Sequence, residues 1–323
     1  MAQVCQLTDK KFSLVSRGKL MKAIYAAVPK ENLRQGNVVE LEDEVCSVKI
    51  RLSDGEAFEG ALAVGADGIR SVCRKYVSIK KCDNEIRNGG EVCYRGIIDL
   101  KRESPDSKLL HLFQEKEKNE PNSMSINYGK GIRFSWGYID SAKSQGYWFV
   151  KQLVEKEKKT DREYFDSWPE PLLSFAKHNY KGIYKHSIQD RKPLEKWSGR
   201  RIVLIGDACH AVTPNNGQGA CMAIEDAFVL AVLLRRYWNE RDGYVEAMYE
   251  FESARKSHAA NIYKESYKQM KIGQLNSGFG VRLRECVLKM VPASVLQRKL
   301  RSCNVFDVEQ WVGEYENLRS KCR

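Results

Sequence analysis

The apolar positions of this chain change period several times. Ile202, Val203, Leu204 and Ile205 form an unbroken aliphatic run, the pattern of a parallel strand covered on both faces. Gly206-Asp207 ends it. After Pro214, the stretch Asn215-Asn216-Gly217-Gln218-Gly219 leads into an apolar helix that begins near Ala220 and continues to Leu234, so free backbone amides at a helix start face whatever the glycine loop admits. Residues 61–66 read as a second buried strand, closed by Asp67-Gly68. From Gly89 onward the pattern shifts to short aromatic or β-branched segments at 92–98, 109–113, 123–128, 132–139 and 147–150, parted by Gly, Asn, Pro or Lys-Glu turns. This predicts an antiparallel sheet. Helical spacing appears at Leu20, Ile24, Ala27 and Val28, behind Arg17, and again over 244–275.

Composition narrows the reading to a folded, globular chain. With 323 residues, 42% hydrophobic and 30% charged, it has enough material for a sizeable core and two domains. No apolar run approaches the ~20 residues of a membrane span, and the amino terminus lacks the charged-then-apolar order of a secretory signal. The ten cysteines form no C-x-x-C pair, which points to reduced thiols and a cytoplasmic compartment; an organellar address preceding the printed sequence stays open. Cys209, His210 and Cys221 do not complete a four-ligand set, so no metal is expected. The net charge of +12 is interleaved with acids rather than blocked, which argues against nucleic acid and for a solvated surface that attracts anionic small molecules.

The segment GRRIVLIGDACHAVTPNNGQGACMAIEDA from Gly199 to Ala227 resembles the second flavin motif of the class A FAD-dependent aromatic-ring monooxygenases, the p-hydroxybenzoate hydroxylase-like family. Within that family it is most similar to the zeaxanthin epoxidase, salicylate hydroxylase and urate hydroxylase branch. The resemblance implies that Asp207 accepts a hydrogen bond from a flavin ribityl hydroxyl and that Pro214, Gly217, Gln218 and Gly219 lie beside the ring. Elementary chemistry agrees: a carboxylate is a strong acceptor for a sugar hydroxyl, and helix-start amides favour the electron-rich edge of a reduced flavin. Asn216 stands where relatives carry an apolar residue, and Cys209 where they carry alanine.

Upstream, Asp67-Gly68-Ile69-Arg70-Ser71-Val72-Cys73-Arg74 resembles the family's DG motif, which implies Asp67 near the cofactor diphosphate and Arg74 near the dinucleotide or flavin channel. Ser71 suits a cap on the short helix carrying Arg74. Arg17 resembles the arginine by which relatives reach the flavin from a helix start. Tyr94-Arg95-Gly96 resembles a YRG strand of the branch; Tyr94, Arg95, Trp136 and Tyr138 are the expected substrate-facing residues, the arginine for an anionic or carbonyl group and the rings for a planar substrate. Aromatics simply filling the sheet core is an equal reading for those rings. No residue stands out as a catalytic base.

The implied fold is mixed α/β: an FAD/NAD(P)-binding, glutathione-reductase-like flavin domain over 1–88 and 190–240, an inserted antiparallel substrate sheet over 89–189, and a helical segment over 241–323. The family opens with a strand, a GxGxxG turn and a helix, and no GxGxxG occurs here. By order of motifs, roughly 90 residues of family pattern would precede Met1, so the flavin domain is expected to be incomplete and the printed chain to purify with little flavin. The implied function is an FAD-dependent monooxygenase that takes NAD(P)H and molecular oxygen to hydroxylate or epoxidise an aromatic or apolar small molecule. A non-catalytic remnant and a same-fold flavin halogenase or reductase are the alternatives. Residues 281–300, basic and apolar with Leu283, Val287 and Leu288 beside Arg282, Arg284 and Lys289, suit either a closing helix or peripheral contact with a membrane surface.

Overall fold

Alternation and helical spacing along the chain resolve into the following order in the computed structural model, which describes residues 15–291 except 79, 81–83, 120, 122–123, 141, 155–167, 169 and 179–181, together with 306–320. The elements are α1 (Arg17–Ala27), β1 (Val38–Asp43), β2 (Val48–Leu52), β3 (Ala57–Gly60), β4 (Ala63–Gly65), α2 (Arg74–Val77), β5 (Arg87–Asp99), α3 (Lys108–Asn119), β6 (Ser125–Tyr128), β7 (Ile132–Tyr138), β8 (Gln145–Leu153), α4 (Leu172–His178), β9 (Tyr184–Asp190), β10 (Ile202–Leu204), α5 (Asp207–His210), α6 (Gly219–Arg236), α7 (Gly243–Gly273), α8 (Gly278–Met290) and α9 (Val308–Ser320). They fall into two compact units, one of residues 1–33, 90–188 and 271–302, the other of 34–89, 189–270 and 303–323. The mixed α/β class implied by the sequence is the class observed.

In the second unit β10 pairs in parallel with β4, Ile202 opposite Ala63 and Leu204 opposite Gly65. Ile202, Val203 and Leu204 are fully buried, as their unbroken apolar run requires. They sit in one core with Met222, Val229 and Leu233 of α6 and Met248, Phe251 and Ile262 of α7. Beside this pair stands a sheet that the motif reading passed over: β1, β2 and β3 form an antiparallel meander. Its signal was present. Leu41, Val48 and Leu52 are the inward positions, and Asp54-Gly55 supplies the turn, with Gly55 at φ +93°, a conformation that favours glycine.

The first unit contains a five-stranded sheet in the order β6-β7-β8-β5-β9. The sequence placed strands at 92–98, 132–139 and 147–150, and strands lie there. Position 123 of the expected 123–128 strand is outside the described residues. The expected strand at 109–113 is instead the start of α3, and the reason is legible in its residues. The run Lys108-Leu-Leu-His-Leu-Phe-Gln-Glu-Lys-Glu-Lys contains no β-branched side chain, its members are good helix formers, and Leu109, Phe113 and Lys116 share one buried helical face. Phe113 seals the sheet. Its ring packs edge-on to Trp136 at 4.9 Å and tilted against Phe175 of α4 at 5.8 Å, and Gly146 leaves room for it, since a Cβ there would come within 2.4 Å of the ring.

The other face of this sheet is polar and largely closed to solvent. Glu91, Cys93 and Lys151 are each at most 3% exposed. Cys93 lies opposite Lys151 on β5 and β8, and Arg133 of β7 lies opposite Lys151 on its other side. Burial, aided by Arg133, pulls the Lys151 pKa down to about 7. Between about 7 and the ordinary lysine value of 10.5, the unfolded chain carries a proton at this site that the folded chain lacks. Folding stability therefore rises with pH across that window and is penalised below it. Urea unfolding of wild type and Lys151→Met at pH 7 and pH 9.5 is expected to show a gain with pH that the methionine variant lacks; equal pH dependence in both would remove Lys151 as its source.

Candidate functional site

The two conspicuous motifs of the sequence meet at the carboxyl ends of β4 and β10, within the second unit. Packing there is tight. A Cβ on Gly65 would stand 2.7 Å from both Cys73 Cβ and Leu204 Cδ2, so only glycine lets α2 and β10 close on the end of β4. Gly206 follows β10 at φ +58°, ψ −141°, a region open to glycine alone, and a Cβ there would meet that of Ala223 on α6 at 3.0 Å. The chain then makes the short helical turn α5, and Asp207 is its first residue.

Asp207 is exposed and, among the described residues, its carboxylate makes no hydrogen bond. Protein crowded round it raises its pKa above the ordinary aspartate value, an effect that His210 opposes. Two buried groups hold the turn behind it. From α2, the fully buried Arg74 guanidinium donates to the carbonyls of Ala208 at 3.0 Å, Cys209 at 2.8 Å and Lys192 at 2.9 Å. From α6, Asp226 accepts the Gly206 amide at 2.9 Å and lies 2.6 Å from His210 Nε2. Arg74 is thus placed behind the turn, where it donates to these three main-chain carbonyls.

The DG segment organises α2. Asp67 Oδ2 accepts the amides of Val72 at 2.7 Å and Cys73 at 3.2 Å, and Ser71 Oγ accepts that of Arg74 at 2.9 Å. The serine expected to cap α2 thus accepts the amide of its first residue, while Cys73 occupies the N-cap position without a side-chain bond. A residue that sequence reasoning missed stands close by: Arg191 is 6% exposed, its Nε has no hydrogen-bond partner, burial pulls its pKa down and Asp67 opposes that shift. A buried guanidinium nitrogen without a hydrogen bond is costly, and nothing in the local sequence signals it.

Between α5 and α6 the loop is anchored at one end and open at the other. Ser266 of α7 lies 2.9 Å from Thr213 Oγ1 and also donates to the Thr213 carbonyl, while the Asn215 amide reaches its hydroxyl at 3.4 Å. Beyond that anchor Pro214 and Gly217 are exposed and Gln218 and Gly219 half-buried. Gly217 sits at φ +67° with nothing within 4 Å of where a Cβ would be. Gln218, at the N-cap of α6, has no side-chain capping bond, so no side chain at that position satisfies the first amides of this 18-residue helix.

The exposed Asp207 acceptor, the uncapped start of α6 and the buried Arg191 cation all belong to this unit. A ribityl chain joined to an electron-rich ring and a diphosphate fits this donor set. Asp67, Arg74, Asp207, Pro214, Gly217, Gln218 and Gly219 all lie in this unit. Arg17, exposed on α1, belongs to the other unit, as do Tyr94, Arg95, Trp136 and Tyr138.

Strand alternation separates the last four. Tyr94, 4% exposed, and Trp136, 5% exposed, share the aromatic core beneath α3 and α4, with Tyr138 packed against it. Tyr94 meets Trp168 edge-on at 5.8 Å. Arg95 points to the opposite face, 4.9 Å from the Tyr184 ring centroid; there its charge and Lys151 add to burial in lowering the His186 pKa. The glycine of the YRG strand serves packing, because a Cβ on Gly96 would lie 2.8 Å from Trp148 Nε1. Trp136→Phe is accordingly expected to cost about 1–2 kcal/mol of stability, whereas Arg95→Gln, on the other face, is expected to cost less than about 1 kcal/mol. Urea unfolding of the two variants checks this, and a larger loss for Arg95→Gln would reverse the order.

The sequence model of the FAD binding domain family matches residues 26–266. The chain is 29% identical over 296 residues to the aurachin C monooxygenase/isomerase of Stigmatella aurantiaca, covering 89% of this chain and 71% of that protein. It is 30% identical over 298 residues to the 2-heptyl-3-hydroxy-4(1H)-quinolone synthase of Pseudomonas aeruginosa, covering 88% and 71%. Among solved structures, Klebsiella pneumoniae HpxO complexed with FAD and uric acid superposes with a TM-score of 0.75 at 21% identity, covering 90% of this chain and 71% of that one.

Proposed function

Because the chain belongs to the FAD binding domain family, whose model spans residues 26–266, we propose that it is an FAD-dependent monooxygenase that uses NAD(P)H and molecular oxygen to hydroxylate or epoxidise an aromatic or apolar small molecule. The observation that carries this reading is the exposed Asp207 carboxylate, without a hydrogen bond among the described residues, in one unit with the open glycine loop and the uncapped start of α6.

When bound, FAD supplies the two-electron chemistry and the activation of oxygen. The chain's own residues hold and tune it. Asp207 accepts a ribityl hydroxyl, Pro214 and the backbone from Gly217 to Gly219 border the ring, and the dipole of α6 favours negative charge on that edge. Asp67 orders α2, Arg74 fixes the carbonyls behind Asp207, and Arg191 offers a cation to a diphosphate oxygen. Arg17 is the residue of α1 proposed to reach the flavin. In the sheet unit, Arg95 orients substrate and its neighbour Tyr184 presents a flat ring to it; Tyr94, Trp136 and Tyr138 support that wall from the core side.

The test is NAD(P)H oxidation with oxygen uptake stimulated by an added aromatic, followed by mass spectrometry of the product made under labelled oxygen. The similarity to a 2-heptyl-3-hydroxy-4(1H)-quinolone synthase puts quinolones first among the probes. Label from oxygen gas in the product is expected. Flavin-loaded protein that never consumes oxygen across a panel of aromatic probes would overturn the reading.

A peripheral membrane contact through 281–300 is part of the proposal, and residues 292–300 lie outside the described residues. Its support is the outer face of α8, where Phe279 is 80%, Leu283 53%, Val287 45% and Met290 77% exposed, flanked by exposed Arg282 and Lys289. Such an apolar stripe edged with cations suits an anionic bilayer. Among the described residues no helix is long and apolar enough to cross a membrane. Co-sedimentation with phosphatidylserine-containing vesicles is expected for wild type and lost in Phe279→Ser/Met290→Ser; equal sedimentation of both proteins would remove this contact.

A further inference from the structure

Beneath the Asp207 turn lies a buried charge network that the proposed chemistry does not use. Asp226 on α6 is wholly buried, and its two oxygens are fully engaged. Oδ2 accepts from the Gly206 amide at 2.9 Å and from His210 Nε2 at 2.6 Å, while Oδ1 accepts from Arg255 Nε of α7 at 2.8 Å. Arg255, itself fully buried, also reaches Glu225 Oε2 at 2.7 Å. The His210 ring is fixed from its other side by Trp197, with ring centroids 5.2 Å apart.

Two of these bonds end on residues 206 and 210, the residues that bracket Asp207. Gly206 holds a backbone conformation with few alternatives, and the bond from its amide to Asp226 selects that conformation from the range glycine could visit. His210 ends the same turn. A single carboxylate oxygen therefore ties the two ends of α5 together and sets where the Asp207 carboxylate projects.

We infer that Asp226, through Gly206 and His210, is a positioning residue for the flavin-binding Asp207, and that Arg255 serves by holding Asp226 in register. The inference rests on the flavin reading of Asp207, but its structural half does not. Asp226→Asn preserves size and one acceptor while losing the charge that engages both neighbours; His210→Gln supplies a second, milder variant.

The test has two arms on the full chain. In the first, hydrogen–deuterium exchange of the unliganded protein is measured: Asp226→Asn is expected to speed exchange over 205–210 at least tenfold, with the five-stranded sheet unchanged. In the second, FAD is titrated by fluorescence. Asp226→Asn is expected to weaken binding about tenfold in the wild-type background and less than twofold where Asp207 is already alanine, since the two act on one interaction. A purely structural role would lower affinity equally in both backgrounds, and that outcome, or unchanged exchange over 205–210, overturns the inference. If Asp226→Asn does not fold, His210→Gln carries both arms with the same readings. Wild-type protein that takes up no FAD would count against the flavin reading of the site, while the exchange arm would still decide whether Asp226 holds the turn.

Discussion

Replacing Arg74 by alanine is expected to cost about 3–5 kcal/mol of folding stability, the scale of breaking a buried charged interaction by removing one partner. The guanidinium is fully buried and serves three carbonyls, those of Ala208, Cys209 and Lys192. Without it those acceptors face a cavity of about a side chain's volume. Lysine in its place keeps the charge but not the planar fork, so Arg74→Lys should fall between wild type and alanine. Urea unfolding of the three proteins checks this. A loss below 1 kcal/mol for alanine would mean that water satisfies the carbonyls and that Arg74 is no clamp.

Asp207→Ala is expected to leave folding stability nearly unchanged, because the residue is exposed and makes no side-chain hydrogen bond among those described. Its effect falls on FAD affinity, which should drop by about 10–100-fold, the value of one hydrogen bond to a charged acceptor. Cys209→Ala, fully buried behind the turn, should change affinity less than threefold. The raised pKa of Asp207 adds a direction: affinity should fall on acidification, and at a higher pH than for an ordinary aspartate, because the protonated carboxyl is a poorer acceptor. Equal losses for the aspartate and cysteine variants in a fluorescence titration would strip Asp207 of its role.

The strand, turn and helix around Asp207 were legible because each depends on neighbours in sequence. An unbroken aliphatic run, a Gly-Asp junction and a loop rich in glycine specify a buried parallel strand and a helix start with little help from elsewhere. The Asp67 segment was equally readable down to the Ser71 cap. Segment 109–113 was misread as a strand because five apolar-rich residues carry no period; the helical face appears only when Lys116 is included. Tyr94, Trp136 and Tyr138 were readable as sheet aromatics, yet the side on which they lie was not.

What this chain determined by itself is the buried strand at 202–205, the helix that follows the glycine loop, and the identity of the glycines that permit close approach. These follow from covalent geometry and local hydrogen bonding. Only the tertiary structure decided which face of the sheet is core, because α3 and α4 cover one side and leave Arg95 on the other. It also decided that Arg74 spends its charge on carbonyls and that Asp226, 19 residues beyond Asp207, governs the same turn. Pairings across such separations are selected by the cost of leaving charges buried and unmet, and that cost exists only once the layers have closed.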